Sequence, residues 1–391
     1  MEIDIEKGNG YSMEIGSIFE INPNWIENAK KRQGVTLRLK EVEKYGKKNA
    51  LYTASGRQAI SAALKSIEKN RPEISKKCLM PAYMCDTVFF PFEQNGWELV
   101  FYHIDTDMRA DADEFCKLIE NEKPGMLFIH AYYGVDTWKE LRPMLYKYQE
   151  SGLILMEDMT QAYYLHEADI RADYIVGSLR KWYSVPDGGF VTTDEEIYTK
   201  LLPEDSYFVE ERIKMLTSKW EYLDNVENEN GSIERLQAQK SEYLALNRSM
   251  EEYLDKNEVV MAISDISAAM LSGINEEKDF RQRNANYKLL YQGFTDRKTV
   301  RNVMPKQTED AAPLYLPVYA DNREEIQKFF RENDIYAPVL WPVGMENADI
   351  LSEDEKYVFS HLLAIPMDHR YGETEMQKII EVLNEYEELH R

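Results

Sequence analysis

Between residues 50 and 195 short apolar runs alternate with amphipathic segments, the pattern of an α/β sheet. The runs are Ala50 to Thr53, Cys78 to Pro81, Glu98 to Tyr102, Gly125 to Ile129, Gly152 to Met156, Asp173 to Val176 and Gly189 to Thr193. After the first of them Ala59, Ile60, Ala63, Leu64 and Ile67 share one helix face, which puts that helix's N-terminus at Ser55-Gly56-Arg57. Residues 200 to 260 read as long, charged and helical, with a loop over Glu227 to Gly231. From Pro313 the alternation returns. A strand (Leu314 to Tyr319), a helix (Arg323 to Asn333), two strands (Tyr336 to Leu340, His361 to Ile365) and a closing helix from about Glu373 to Leu389 follow. The pattern predicts a large domain over residues 1–260, with a helical excursion near 200–260, and a smaller α/β domain over 261–391.

Length agrees with that division, since 391 residues exceed the roughly 100 to 200 of a single domain. Apolar residues at 43% and aromatics at 12% predict a chain folded throughout. A net charge of −23 argues against nucleic acid and anionic membranes as partners, and requires that any anionic ligand be met by a local cluster of arginine and lysine. The first residues, Met1-Glu2-Ile3-Asp4, lack the basic start and apolar run of a signal peptide, and no stretch reaches the ~18 apolar residues of a membrane span. Cys78, Cys85 and Cys116 without paired spacing point to reduced thiols and no metal site. A cytoplasmic protein is expected.

The candidate chemistry centres on Leu153 to Ala162, an apolar run ending in Glu157-Asp158, and on Lys181 beyond the next short strand. Such a pair suits pyridoxal phosphate (PLP): Asp158 would keep the pyridine nitrogen protonated and Lys181 would carry the cofactor as a Schiff base. Taken singly, an acid after a strand more often caps a helix and a lysine is more often a solvated charge. Ser55-Gly56-Arg57-Gln58 offers a helix N-terminus and a guanidinium to a phosphate, or else an ordinary cap. Ser178, three residues before Lys181, is a second phosphate candidate. Arg180 is a third or an outward surface charge. Gln161 can reach the cofactor ring or be a polar loop residue. Burial beside Arg180 and the cofactor is expected for Lys181.

Glu157-Asp158-x-x-Gln161-Ala162, Lys181 with Gly188-Gly189 seven residues on, Ile129-His130 with Gly134, and Pro81-Ala82-Tyr83 with Gly96 match in order and spacing the PLP-dependent sugar aminotransferases of the DegT/DnrJ/StrS family. The resemblance covers roughly residues 48 to 195; Leu340-Trp341-Pro342-Val343 and Ile365 to Tyr371 resemble the family's small-domain motifs. It implies fold type I, with a mostly parallel seven-stranded sheet, a smaller C-terminal domain and a homodimer. Lys181 is then the cofactor lysine, Asp158 the pyridinium partner, Gln161 a cofactor contact, and Gly56 and Arg57 the phosphate turn.

Three departures mark an outlying branch. The family usually has threonine at Arg57 and its phosphate-binding serine at Val176, so Ser178 and Arg57 would hold the phosphate instead. Its ring-stacking aromatic is replaced by Cys85, which leaves Tyr83 or another aromatic for that role. The resemblance implies transfer of an amino group, with glutamate the expected donor, to a keto sugar, a nucleotide-linked 4-keto-6-deoxy sugar by analogy. Arg370, in Asp368-His369-Arg370-Tyr371, is a candidate for a substrate anion or a surface ion pair with Asp368. His130 is a pocket residue or a satisfied core histidine. A PLP-dependent lyase or decarboxylase on the same scaffold, or a PLP-binding regulatory protein without turnover, are the alternatives.

Overall fold

The computed structural model describes residues 14–32, 40–165, 170–256, 259–304, 311–341 and 349–390. Its strands are β1 (Ile15–Gly16), β2 (Asn49–Thr53), β3 (Lys77–Pro81), β4 (Glu98–Tyr102), β5 (Met126–His130), β6 (Ile154–Asp158), β7 (Tyr174–Ser178), β8 (Gly189–Thr193), β9 (Val300–Asn302), β10 (Tyr315–Ala320), β11 (Ile335–Tyr336) and β12 (Leu362–Pro366). The helices are α1 (Pro23–Lys30), α2 (Lys40–Tyr45), α3 (Gly56–Asn70), α4 (Phe89–Gln94), α5 (Ala112–Glu122), α6 (Arg142–Glu150), α7 (Ser206–Glu227), α8 (Ile233–Asp255), α9 (Asp265–Leu271), α10 (Glu276–Gly293), α11 (Arg323–Glu332), α12 (Glu353–His361) and α13 (Glu373–Leu389).

All seven expected strands of the large sheet are present, in the order β2-β8-β7-β6-β5-β3-β4. β4, β3, β5 and β6 run parallel to one another, whereas β8 is antiparallel to both β2 and β7. β5, β6, β7 and β8 are buried at every position, which explains why their sequences read as continuous apolar runs. β4, at one edge, begins exposed and becomes buried only at Tyr102.

Contacts divide the chain into two compact units. One comprises Ile18–Pro72 and Tyr174–Asn275, and carries β2, β7, β8, α3 and the hairpin of α7 and α8. Asp205 caps α7 by accepting from the Phe208 N–H at 3.1 Å, and Ser232 caps α8. Between them Glu229 and Gly231 take left-handed backbone (φ 53° and 118°), which fits the loop expected there. Phe208, Met250 and Leu254 form a small core for the hairpin.

The other unit comprises Glu14–Ser17, Glu73–Asp173 and Glu276–Arg391. It holds β3 to β6 and a three-stranded antiparallel sheet, β12-β10-β9. α10, α11 and α13 pack on that small sheet through Leu290, Ile326, Phe330, Ile379 and Leu383. The strand expected over Tyr336 to Leu340 is shorter than its pattern: only Ile335–Tyr336 pairs, with β1. Pro338 has no N–H to give a ladder, and its carbonyl instead accepts from the Ala364 N–H at 3.1 Å. Pro342 and Val343 of the small-domain motif, and the first residues read for a signal peptide, lie outside the described residues. Among the described residues no helix is long and apolar enough to cross a membrane.

Candidate functional site

Glu157 and Asp158 are adjacent acids at the end of β6, and strand geometry sends them to opposite faces of the sheet. Glu157 is fully buried and takes a forked pair of bonds from the Arg142 guanidinium at 2.7 and 3.1 Å. Asp136 completes that ion group, 2.9 Å from Arg142. On the other face Asp158 lies 3.1 Å from His130 Nδ1, the residue directly opposite it in register on β5, and its second oxygen accepts from the Thr160 N–H at 2.9 Å. Both residues are buried, and His130 Nε2 has no hydrogen-bond partner. Trp138 Nε1 donates to the His130 carbonyl at 2.9 Å, which anchors the backbone under the imidazole. Asp158 is thus a buried acid held between the His130 ring and the Thr160 N–H.

Gln161 accepts from the Tyr133 N–H at 2.9 Å, leaving its amide nitrogen as the end that can meet a ligand. Tyr133 has left-handed backbone (φ 55°), a strained conformation for a tyrosine that this bond and the one from Leu314 N–H to its carbonyl (2.9 Å) hold in place. Tyr83 is completely buried. It packs against Tyr132, Trp341 and Phe359 at ring-centroid distances of 5.5, 5.1 and 4.7 Å. Trp341 also meets the His130 ring at 5.8 Å and, unlike Tyr83, keeps part of its surface open. Cys85 lies 3.1 Å from the Thr87 hydroxyl, before a short 3-10 turn. Trp341 entered the sequence reading only as part of a motif; its partial exposure beside His130 adds it to the candidate residues.

In the other unit Ser55 caps α3, its hydroxyl accepting from the Gln58 N–H. The turn is packed backbone to backbone: a Cβ on Gly189 would meet the Ser55 carbonyl carbon at 2.3 Å, and one on Gly56 would meet Ser178 Cβ at 3.2 Å. Ser178 therefore lies against the first turn of α3. Lys181 ends the 3-10 turn Leu179–Lys181 and is exposed, not buried as the sequence reading expected.

Arg57 and Arg180 both meet acids of α8. Arg57 pairs with Asp255 and lies 3.9 Å from Glu251, both on α8, and Arg180 forks onto the same Glu251 at 3.1 and 3.2 Å. Arg212 of α7 reaches Glu251 at 3.3 Å and Asn247 at 2.8 Å. Asn247, Glu251 and Asp255 recur every four residues and so line one face of α8. Burial works to raise the Glu251 carboxyl, but Arg180, Arg212 and Lys181 together hold it well below the usual carboxylate range. Arg212 is pushed down to about 10 by burial, with the like charge of Arg180 adding to the effect.

Asp187, before Gly188-Gly189, is fully buried and accepts from the Ser264 N–H (2.9 Å), the Ser264 hydroxyl (2.6 Å) and the Ser267 hydroxyl. Burial outweighs these donors and pushes its carboxyl up to about 6 from an ordinary 3.8. A carboxyl raised on folding stabilises most below its unfolded value and loses that contribution as pH climbs through the folded one. The expected loss is about 3 kcal/mol between pH 4 and 6, and Asp187→Asn should flatten it. Urea unfolding of both proteins across that range measures the slope; equal slopes would rule out the assignment.

Arg370 clamps Asp368 with a fork at 2.8 and 2.9 Å, so the ion pair weighed for it is present. Burial works to raise the Asp368 carboxyl, and Arg370 nevertheless holds it far below its ordinary value.

No protein-family model matches the chain. Solved structures do match it over nearly its whole length. *Helicobacter pylori* PseC, an aminotransferase involved in the biosynthesis of pseudoaminic acid, superposes with a TM-score of 0.67 at 15% identity, covering 95% of this chain and 98% of that one. A DegT DnrJ EryC1 StrS aminotransferase from *Brucella abortus* gives 0.59 at 14%, covering 94% and 91%. NtdA from *Bacillus subtilis*, solved with the cofactor PMP bound, gives 0.59 at 15%, covering 94% and 78%. At these identities the likeness establishes the fold, aminotransferase fold type I, in agreement with the sheet order above.

Proposed function

We propose that this chain is a PLP-dependent aminotransferase of the DegT/DnrJ/StrS kind, moving an amino group from glutamate to a nucleotide-linked 4-keto-6-deoxy sugar. The observation that carries the reading is Asp158: a buried acid, held by His130 and Thr160, at the end of a strand in a fold whose solved examples include aminotransferases and a protein solved with the cofactor PMP bound. The residues fit the cofactor. Gly56 and Gly189 let the α3 turn pack directly on Ser178 and β8, which brings the Ser178 segment to the first turn of that helix, and His130 Nε2 and Arg180 Nε are buried polar atoms without partners.

When bound, the cofactor supplies an electron-withdrawing ring. Asp158 holds the proton on its pyridine nitrogen, and His130 keeps Asp158 in place. Gln161 Nε2 binds the ring's hydroxyl, while the open face of Trp341 is the candidate stacking surface in place of Cys85. Ser55, Gly56, Arg57 and Ser178 bind the phosphate. Lys181 would hold the cofactor through Nζ, and the same amine would serve as the site's general acid and base. We further propose that the active form is a homodimer, which the molar mass in solution tests.

The deciding experiment is the absorption spectrum of the PLP-loaded protein before and after L-glutamate. A band near the visible edge that glutamate removes, with pyridoxamine phosphate as product, is the expected result. A band indifferent to every amino donor would replace this reading by the non-turnover one, and loss of CO₂ from the donor by a decarboxylase.

A further inference from the structure

The α7–α8 hairpin brings three guanidinium groups, Arg57, Arg180 and Arg212, onto one carboxylate, Glu251, with Asp255 and Asn247 as flanking acceptors. Lys181, which also acts on Glu251, and Asp187, which acts on Arg212, bring the count to four cations against three acids, a local surplus of positive charge in a chain whose net charge is −23. Donors are in surplus too. Arg180 Nε and Arg212 Nε are buried without hydrogen-bond partners, and a guanidinium offers five N–H groups to be satisfied. The Arg180 and Arg212 side chains are only 9% and 8% exposed, whereas Glu251 keeps 40% of its side-chain surface open, so solvent reaches the cluster through the acid.

We propose that Arg57, Arg180 and Arg212 form a binding site for a phosphate group, and that Glu251 is its built-in competitor, holding the arginines together until the phosphate takes its place. A tetrahedral dianion carries more acceptor oxygens than a carboxylate and twice its charge, which matches what the cluster lacks. The phosphate comes from the cofactor or from the diphosphate of a nucleotide sugar. The inference rests on the proposed function only for the identity of these two sources.

The test uses the full chain, freed of cofactor, titrated calorimetrically with inorganic phosphate. Glu251→Gln keeps the shape of the competitor and removes its charge, so it should bind phosphate about 3- to 10-fold more tightly than the unaltered chain. Arg212→Gln should bind it about tenfold more weakly, and Arg212→Lys should recover part of the loss. Arg235→Gln, about 24 Å along α8 from Glu251, controls for net charge and should change nothing. Circular dichroism and urea unfolding separate lost binding from lost folding, with the lysine variant as the folded comparison.

Two further arms identify the source: PLP uptake by the cofactor-free chain, and uridine diphosphate binding to the PLP-loaded chain. Weakening by Arg212→Gln in the first arm assigns the site to the cofactor's phosphate; weakening in the second assigns it to a substrate diphosphate. Phosphate affinity that Glu251→Gln leaves unchanged or lowers, or that Arg212→Gln leaves unchanged, overturns the proposal. Because the inorganic phosphate arm needs no Lys181-dependent band, the cluster can stand or fall apart from the aminotransferase reading.

Discussion

Lys181→Ala is expected to abolish the absorption band of the PLP-loaded protein near the visible edge and to slow amino transfer by about 10²- to 10⁴-fold from the loss of the general acid and base alone. The fold should survive, because Lys181 is exposed at the end of a 3-10 turn and replacing such a side chain costs within about 0.5 kcal/mol. A primary amine added to the solution should restore part of the turnover by standing in for Nζ. That rescue distinguishes a missing amine from a distorted site. If the band persists in Lys181→Ala, a different lysine holds the cofactor and the central assignment is wrong.

The second large effect concerns stability. Arg142→Met removes the partner of Glu157, which is buried with no exposure at all, and leaves an uncompensated charge within the sheet-facing layer. The expected cost is about 3–5 kcal/mol. Adding Glu157→Met removes the fully buried stranded charge and leaves only Asp136, which is 13% exposed and still accepts from the Trp138 N–H, so the double variant should recover part of the loss, since apolar side chains of similar volume often replace a buried ion pair without penalty. Urea unfolding of the two single variants and the double gives the coupling directly; additive effects would mean that the pair is not one electrostatic unit. Asp158 stands on the other face, so the double variant should still bind cofactor.

The strands of the large sheet were legible because most are buried on both sides and hence apolar without interruption, and α3 was legible because Ser55 and its amphipathic face agree. α10 was not. Its 18 residues bury Asp279, Arg283 and Asn286 beside Tyr287 and Leu290, so the inward face carries polar residues and the hydrophobic period is lost. Asp158 and Lys181 could be picked out from their places after strands, but the carboxylate's partner could not, since the pairing of Asp158 with His130 is set by the register of β6 on β5. Arg57 was read as a phosphate ligand from its helix terminus, and its actual counter-ions lie about two hundred residues onward, on α8. The four-residue spacing of Asn247, Glu251 and Asp255 was the available signal for that face, but it does not name the cations it meets.

The paired acids of β6 also constrain how the gene can vary. Inserting or deleting one residue within Ile154–Asp158 would exchange the parity of the strand, turning Asp158 toward Arg142 and Glu157 toward His130. The composition would scarcely change, yet the longer carboxylate would stand where the shorter one is held and the arginine would face the wrong acid. Sequence drift here can proceed by substitution but not by change of length, so the segment acts as a reading frame written in side-chain direction.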